Sequence, residues 1–453
     1  MAKTSLNAGT SRRTVSPPTA APVIICGAGP VGLAMAIELA RHGVRSTVFE
    51  RHPGTAMHPK ARYLNTRTLE IVRQWDPAAH AELVALDWPR RQADSAGHRR
   101  MSDPEAHGAR AREWAGSISP ESSVLTSQDM FEPVFLRAAR RTGLVDVRFS
   151  HEVLDLDLRD DGVRVSWVER TTMRRASDTA AYVVAADGAS SQMRARLGIA
   201  MAGVTAIGHY VNVYFQADLS PWLGDRPRPM YWVATPTHQG VFQPVDGQRR
   251  WLCQLPYDGS PEALARYDVA ACTRWIRAAL RAADVVPDIL SIGHWTMNAT
   301  VAERFSVGDV FLVGDAAHTM PPTGGLGVNT GIQGAHNLAW KLALVLKGQA
   351  HASLLATYES ERRPVALENT RRSLANARAL LSALGAAAST SDCAEPFAPA
   401  VSAARPRSDG NVLGPVLGDR YTSTAVTPDG TAPAADDQPL EHVPRGRAGH
   451  RAP

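Results

Sequence analysis

Two glycine-rich segments carry residue types that can hold a phosphate-containing cofactor. In the first, Gly27, Gly29 and Gly32 form the pattern G-x-G-x-x-G between an apolar run and an amphipathic stretch. Glycine lets a backbone turn sharply and approach a pyrophosphate at a helix N-terminus, where unpaired amides favour an anion. Glu50 ends the next apolar run, where an acid can accept hydrogen bonds from a ribose diol. This context favours a dinucleotide site over a glycine turn without a ligand.

The second segment, residues 314–329, follows another apolar run. Asp315 stands at the strand end, where a carboxylate can accept hydrogen bonds from sugar or ribityl hydroxyls. Gly325 and Gly327 would let backbone amides approach a flat ring. The helix after them would direct its positive end at the ligand, which favours an anionic reduced flavin. His318 fits a structural role better than that of a base.

The elements around these motifs predict an α/β fold. Strand, helix and strand follow one another from Pro22 to Glu50, and such a βαβ opening predicts a parallel sheet in a Rossmann-like domain. Short aromatic-rich strands separated by Pro and Gly predict an antiparallel second sheet. An apolar strand at Val310 then returns to the first pattern, and helices follow it. The predicted divisions are a leader (1–20), a first cofactor-binding part (21–201, with a surface excursion at 87–117), a substrate-binding sheet (202–300), a second cofactor-binding part with helices (301–385) and a linker-like tail (386–453).

Composition argues against several other classes of protein. The net charge is +5, but the arginines are scattered and lack the aromatic residues between them that a nucleic-acid surface would show. The four cysteines, Cys26, Cys253, Cys272 and Cys393, have no metal-ligand spacing and fit reduced thiols in the cytoplasm. The uncharged run 14–37 is interrupted by prolines and glycines, which argues against a membrane span.

Three motifs in one order carry a resemblance to a known family. They are residues 27–32, the pair Asp187-Gly188 with Ser190, Ser191 and Arg194 after it, and residues 314–329. Together they resemble the single-component FAD-dependent aromatic hydroxylases, which include 4-hydroxybenzoate hydroxylase and the phenol and polyketide hydroxylases. The resemblance covers about residues 22–385. Residues 329–343 and 358–366 are especially similar to the phenol and polyketide branch.

The resemblance implies a role for each matching residue. Gly27, Gly29 and Gly32 would hold the FAD pyrophosphate, and Glu50 the adenosine ribose with Arg51 beside it. The other implied FAD contacts are Gln128 to the flavin side chain, Asp315 to the ribityl chain and the Val328 and Asn329 amides to the pyrimidine edge. Asp187 and Gly188 would serve both FAD and a transient NADPH or NADH. Lys60 stands where many relatives have an arginine near the pyrophosphate, a role that Arg62 would share.

The chemistry that the resemblance implies is hydroxylation of a phenolic or polyketide-type ring. NAD(P)H reduces the flavin, O2 forms a C4a-hydroperoxide, and an electron-rich ring attacks its distal oxygen. Tyr231, His238 and Tyr214 are candidate bases and Arg228 a candidate orienting cation, although plain packing is an open alternative for each. The substrate would be a small aromatic molecule, and the protein a monomer or homodimer without nucleic-acid or membrane partners.

Two alternatives to this function remain at the level of sequence. One is a flavin-binding but inactive homologue, and the other is an FAD dehydrogenase or quinone reductase. Phenol and polyketide relatives usually continue into a thioredoxin-like domain after a stretch similar to residues 417–430. Here the sequence ends near that point, which predicts a tail without the domain and leaves its effect on activity open.

Overall fold

A computed structural model describes residues 21–88, 119–223, 230–234, 237–390 and 414–427. The predicted leader (1–20), almost all of the excursion (87–117), most of the tail (386–453) and Arg228 lie outside these residues. Within them, no helix combines the length and apolar character needed to cross a membrane. Nor do three His, Cys, Asp or Glu side chains of this part of the chain cluster as metal ligands.

The elements of the fold are numbered in chain order. The strands are β1 (Val23–Cys26), β2 (Ser46–Phe49), β3 (Tyr63–Leu64), β4 (Val124–Leu125), β5 (Val145–Arg148), β6 (His151–Arg159), β7 (Gly162–Glu169), β8 (Arg174–Ala180), β9 (Tyr182–Ala185), β10 (Met201–Gln216), β11 (Tyr231–Ala234), β12 (Gln239–Pro244), β13 (Arg250–Tyr257), β14 (Asp288–Ala302), β15 (Ser306–Val307), β16 (Val310–Leu312) and β17 (His318–Thr319). The α-helices are α1 (Pro30–Arg41), α2 (Thr66–Arg73), α3 (Pro77–Ala85), α4 (Gln128–Arg141), α5 (Gln192–Arg196), α6 (Ser220–Leu223), α7 (Pro261–Leu264), α8 (Val269–Leu280), α9 (Gly327–Leu346), α10 (Ala356–Thr390) and α11 (Gly414–Leu417). Short 3₁₀ helices span Gly314–Ala316 and Ala352–Leu355.

The first large sheet has the order β15-β16-β9-β1-β2-β5. All its pairings are parallel except that of the edge strand β15 with β16. Every residue of β1, β2 and β9 is buried, which is the pattern of strands covered on both faces. Helix α1 packs against α4 and α9 over this sheet. The predicted βαβ opening is therefore confirmed.

The second large sheet is antiparallel and has the order β11-β12-β13-β10-β14-β17. Side chains alternate between its faces because a strand has a period of two residues. One face, here called the outer face, packs on α8 in a hydrophobic cluster that includes Val211, Val213, Phe215 and Cys253. The opposite, inner face carries Asn212, Tyr214 and Gln254 and is tied by hydrogen bonds to the part of the chain that forms the first sheet. The predicted fold class, a parallel sheet with an antiparallel second sheet and C-terminal helices, is confirmed.

Candidate cofactor and substrate site

Two glycines of the first motif are required by packing. Gly27 has a φ of +108°, and a Cβ there would lie 2.4 Å from the carbonyl oxygen of Ala186. A Cβ at Gly32 would lie 1.9 Å from the carbonyl oxygen of Gly27. These contacts hold the start of α1 against β1 and against the strand end that precedes Asp187. The first and second motifs therefore meet.

Gly29 is glycine for a different reason. Its φ is −67°, a value that any residue adopts, and no atom lies within 4 Å of a Cβ built there. It stands at the N-terminus of α1, whose first turn holds no acidic residue. Neither conformation nor protein packing requires glycine here, so the remaining reason is close approach of a ligand. An anion at the free amides of α1 fits this opening, as a pyrophosphate would.

Glu50 lies beside the same loop. One carboxylate oxygen accepts a hydrogen bond from the amide of Ala28 and the other from the amide of His52, each at 2.8 Å. These bonds fix the carboxylate at the end of β2, next to the loop that opens α1. Arg51 is exposed beside it, and its Nε contacts His52 at 3.4 Å.

The second motif joins neighbouring loops by hydrogen bonds. Asp187 accepts hydrogen bonds from the Ser191 hydroxyl at 2.6 Å and the Met193 amide at 3.1 Å, which caps the short helix α5. Arg194 of that helix donates to the carbonyl oxygen of Ala316 at 3.0 Å. Gly188 has a φ of +84°, with open space around its Cα. Asp187 thus has a structural task that the sequence did not predict, and its direct contact with cofactors stays a prediction.

The third motif packs against the first. Cβ atoms built on Gly314 and Gly331 would lie 3.0 Å and 2.6 Å from Val31 of α1. Asp315 lies at this junction, and its side chain is exposed. The surrounding protein still removes enough water to raise the pKa of Asp315 to about 6, with a smaller opposing effect of Lys60. Lys60 therefore lies close enough to Asp315 to act on its carboxylate.

The start of α9 is fixed by one side chain. Asn329 is 1% exposed and donates to the carbonyl oxygens of Tyr63 (3.0 Å) and Gly325 (2.6 Å). Its own oxygen accepts from the Asn65 amide and the Thr68 hydroxyl. The first backbone bond of the helix is from Thr330 to Leu326, so the preceding amides, of Gly327, Val328 and Asn329, lie at the positive end of the helix dipole.

Gln128 contacts Glu132, a residue that was not predicted from the sequence. Its side-chain amide donates to Glu132 at 2.7 Å, and Glu132 accepts from the Ala56 amide at the same distance. Burial raises the pKa of Glu132, while the Ala56 bond and Lys60 oppose the rise. The spacing i, i+4 on α4 was a signal for this pair. Gln128 also receives the Ala61 amide, which connects α4 to residues 56–62.

Arg62, which was predicted to share the pyrophosphate-binding role, directs its guanidinium to the second sheet, and the predicted role stays untested. The Arg62 guanidinium donates to Gln243 Oε1 at 2.5 Å and to the carbonyl oxygen of Pro244, both on the second sheet. Burial lowers the pKa of Arg62 to about 10, and Asp129 opposes this, so the side chain stays cationic at neutral pH. Sequence spacing gave the position of the charge but not the direction of the side chain.

Two of the candidate catalytic residues lie on the outer side of the second sheet, away from its inner face. Tyr231 is 4% exposed within the outer hydrophobic cluster, 6.0 Å from the Trp251 ring. The His238 ring lies 5.7 Å from Trp275 of α8, on the same outer side. Their positions do not support a role as base, which stays an untested prediction. The strand period places Tyr231 on the outer face, a parity that aromatic content alone does not reveal, while His238 precedes β12 and is placed by its contact with Trp275.

Tyr214 is the candidate that does lie on the inner face. Its hydroxyl accepts a hydrogen bond from Arg250 at 3.2 Å, and burial raises its pKa against the effect of that arginine. Its ring meets the edge of His58, whose Nδ1 lies 2.8 Å from the Ser291 hydroxyl. The other half-buried ring pair of this face is Tyr210 stacked on Trp295, with centroids 4.9 Å apart.

The fold and the site define the class of this protein as an FAD-dependent oxidoreductase. The three motifs meet around the N-terminus of α1, the carboxylate of Glu50 and the N-terminus of α9. The chain belongs to the FAD binding domain family, which matches residues 20–373.

Relatives with assigned activities extend this result. The chain is 35% identical to aklavinone 12-hydroxylase of Streptomyces peucetius, over 95% of this chain and 86% of that one. It is 33% identical to 2,4-dichlorophenol 6-monooxygenase of Delftia acidovorans, over 95% and 79% of the two chains. A crystal structure of aklavinone-11 hydroxylase with FAD and aklavinone superimposes with a TM-score of 0.76 at 32% identity, covering 97% of this chain and 80% of that one. The prediction of an FAD-dependent aromatic hydroxylase is confirmed at the level of the family.

Proposed function

We propose that this protein hydroxylates a polycyclic phenol of the polyketide type, using FAD, NAD(P)H and O2. The observation that carries the proposal is the convergence of the three motifs around the start of α1, with the neighbouring residue Arg62 bound to the inner face of the second sheet. Relatives that act on aklavinone and on a dichlorophenol support an aromatic substrate. The stacked Tyr210 and Trp295 on the inner face favour a planar, extended one.

The chain offers each part of FAD a partner of suitable chemistry. Gly29 and the amides of α1 would hold the pyrophosphate, helped by the charge of Lys60. Glu50, with Arg51 beside it, would accept from the ribose, and Asp315 from the ribityl hydroxyls. The Val328 and Asn329 amides would donate to the pyrimidine edge, and Gln128 would support the flavin side chain. Bound FAD supplies reduction by NAD(P)H and activation of O2.

The remaining tasks fall to the protein. The inner sheet face must orient the substrate ring, and the two layers must exclude water around it. Tyr214, held by Arg250, is the candidate for moving a phenolic proton on this face. Asp187 and Arg194 would keep the Asp315 junction in place during turnover. A monomer or homodimer in the cytoplasm is the assembly and location we expect, and light scattering of the purified protein measures the first.

The test is a screen of phenols and polyketide aglycones, including aklavinone and 2,4-dichlorophenol, with the FAD-loaded protein. We expect one class to accelerate NAD(P)H oxidation with O2 uptake, and labelled O2 to enter the product. Substrate oxidation without label would indicate the dehydrogenase or quinone reductase alternative. Bound FAD that neither NADH nor NADPH reduces with any aromatic present would indicate the inactive homologue.

FAD affinity is expected to depend on pH through Asp315. Ribityl hydroxyls donate to the ionised carboxylate, so FAD must displace the proton that the raised pKa retains. We expect affinity to be full above about pH 6 and to weaken, by at most about tenfold per unit, as pH falls below it. Titrations of apoprotein with FAD from pH 5 to 8 measure this dependence.

The raised pKa of Asp315 makes the stability of the apoprotein depend on pH in the opposite direction to FAD affinity. A carboxyl whose folded-state pKa is raised binds more protons folded than unfolded, so apoprotein stability falls as pH rises from about 4 to about 6. An Asp315→Asn variant should remove both dependences. Equal pH profiles of FAD affinity in the variant and the parent would contradict the role of Asp315.

A further inference from the structure

A row of side-chain amides crosses the inner face of the second sheet. Arg62 donates to Gln243 Oε1 at 2.5 Å, Gln243 Nε2 donates to Gln254 Oε1 at 2.9 Å, and Gln254 Nε2 donates to Asn212 Oδ1 at 3.1 Å. Trp295 Nε1 donates to the same oxygen at 2.8 Å. The row spans the four adjacent strands β12, β13, β10 and β14, and it is called the amide relay below.

The direction of the relay is fixed by chemistry. Arg62 and the Trp295 indole can only donate, so the atoms that they meet on Gln243 and Asn212 must be oxygens. Gln254 must then turn its oxygen toward Gln243 and its nitrogen toward Asn212. The three donations from Arg62 to Gln243, from Gln243 to Gln254 and from Gln254 to Asn212 therefore run away from the Arg62 cation, and such a chain polarises each successive donor. The Trp295 indole donates to the same Asn212 oxygen from the other side.

The last hydrogen-bond donor of the relay is Asn212 Nδ2. Asn212 is 8% exposed, and among the described residues its Nδ2 has no hydrogen-bond partner. Gly293 lies directly opposite on β14 and has no side chain to cover it, while His58 borders the gap. The stacked rings of Tyr210 and Trp295 occupy the next position along the same strands. A polarised donor thus lies beside a flat aromatic surface.

We propose that Asn212 Nδ2 binds an ionisable oxygen of a planar aromatic substrate, and that the amide relay from Arg62 makes this donor select the phenolate over the phenol. A phenolate ring is more electron-rich than its phenol and is the better nucleophile toward an electrophilic oxygen. The proton passes to solvent by way of the Tyr214 hydroxyl as the substrate binds, so Tyr214 gives up one proton as it accepts another. Asn212 is the binding residue, and Gln243, Gln254 and Arg62 are positioning residues. This inference rests on the proposed function, since it assumes an aromatic substrate on the inner face.

The other charged and titratable groups near this face agree with a net preference for an anion. Arg250 lies 3.4 Å from Asp129 and 3.0 Å from Asp246, so both carboxylates are paired. Burial and the nearby Lys60 lower the pKa of His58, which is therefore neutral at pH 7. Burial raises the pKa of Tyr214, which keeps its hydroxyl protonated. Arg62 is therefore the cation that acts on a bound oxygen through the relay, while Lys60 acts on the carboxylates of Asp315 and Glu132.

The probe for this inference is alizarin, a planar dihydroxyanthraquinone whose colour reports phenol ionisation. Alizarin is titrated with pH while bound to the FAD-loaded protein without NAD(P)H, so that no turnover occurs. We expect the bound dye to ionise at a pH about one unit lower than the free dye. Asn212→Leu should bring ionisation back to the pH of the free dye, and Gln254→Leu should recover part of the difference. Asn212→Asp should move ionisation to still higher pH, because a carboxylate opposes a second anion.

The controls separate a binding role from a structural one. Asn298→Leu makes the same change of polarity on β14 outside the relay, and it should leave the titration unchanged. If the relay only joined strands, its variants would lower stability without moving the dye titration, which would overturn the proposal. So would a failure of the protein to bind alizarin. A protein that shifts the dye as expected, yet incorporates no labelled O2 into any aromatic, would instead refute the proposed hydroxylase function.

Discussion

A Gly29→Asp variant is expected to fold and to lose FAD. Aspartate is a favoured residue at a helix N-terminus, and the space around the Gly29 Cα is open, so α1 should form normally. Its carboxylate would occupy the free amides and repel a pyrophosphate. We expect FAD affinity to fall at least about 100-fold, or about 2.7 kcal/mol. Flavin absorbance after reconstitution and a fluorescence titration with FAD measure the loss.

Two further variants isolate the cause. Gly29→Asn has nearly the same shape and also caps the helix but carries no charge, so it should lose less affinity than Gly29→Asp. Gly32→Ala should instead yield little folded protein, because its Cβ would overlap the Gly27 carbonyl oxygen. Retention of FAD at the parent level by folded Gly29→Asp would show that the pyrophosphate lies elsewhere.

The second large effect is expected at Asp419, in the segment that follows α11. Arg362 of α10 is 2% exposed and donates to Asp419 at 2.7 Å, to the Tyr421 hydroxyl at 2.9 Å and to the carbonyl oxygen of Thr330 at 3.3 Å. Burial alone would lower the pKa of Arg362, but Tyr421 and Asp419 together raise it above its usual value. The cation therefore depends on this C-terminal segment for its counter-charge.

Asp419→Ala is expected to lower the free energy of unfolding by about 2 to 4 kcal/mol. Removing one partner leaves a buried charge without compensation, and Asp419 is only a quarter exposed. Because Arg362 also holds the first turn of α9 through Thr330, FAD affinity should fall as well. Denaturant unfolding and FAD titration of the full chain measure both effects.

The control for this prediction is a solvent-exposed ion pair on the same helix. Arg371→Ala breaks a pair with Glu368 whose side chains are 67% and 41% exposed, and it should cost about 0.5 kcal/mol or less. Equal unfolding midpoints for Asp419→Ala and Arg371→Ala would contradict the dependence of Arg362 on the segment.

The cofactor site could be predicted from the sequence because its parts are local. A glycine at Gly29, an acid at Glu50 and an aspartate at Asp315 stand at strand ends or helix starts, and strand and helix periodicity are visible in a single sequence. Parallel strands end at one edge of a sheet, so residues at such ends meet whatever their distance along the chain. The prediction that the three motifs lie together and the prediction of an α/β fold both followed from that rule.

The substrate side could not be predicted in the same way. Aromatic content located the second sheet, but a one-residue change of parity exchanges its faces, so the sequence did not reveal that Tyr231 lies in the outer cluster or that His238 lies against Trp275. Asn212, Gln243 and Gln254 are ordinary amides in the sequence, and only cross-strand register joins them into one row. Arg62 was recognised as a charge beside the cofactor segment, yet its guanidinium turns to the other sheet.

The sequence by itself determined the class of fold, and it predicted three cofactor-binding segments that the fold brings together, because turns, caps and periodic burial act over a few residues. The tertiary structure alone decided which side chains share a face, which carboxylate compensates Arg362 and where the last donor of the amide relay is left uncovered. Those outcomes depend on pairing between strands and helices far apart in the chain. A hydrogen bond between such residues leaves no local pattern in the sequence.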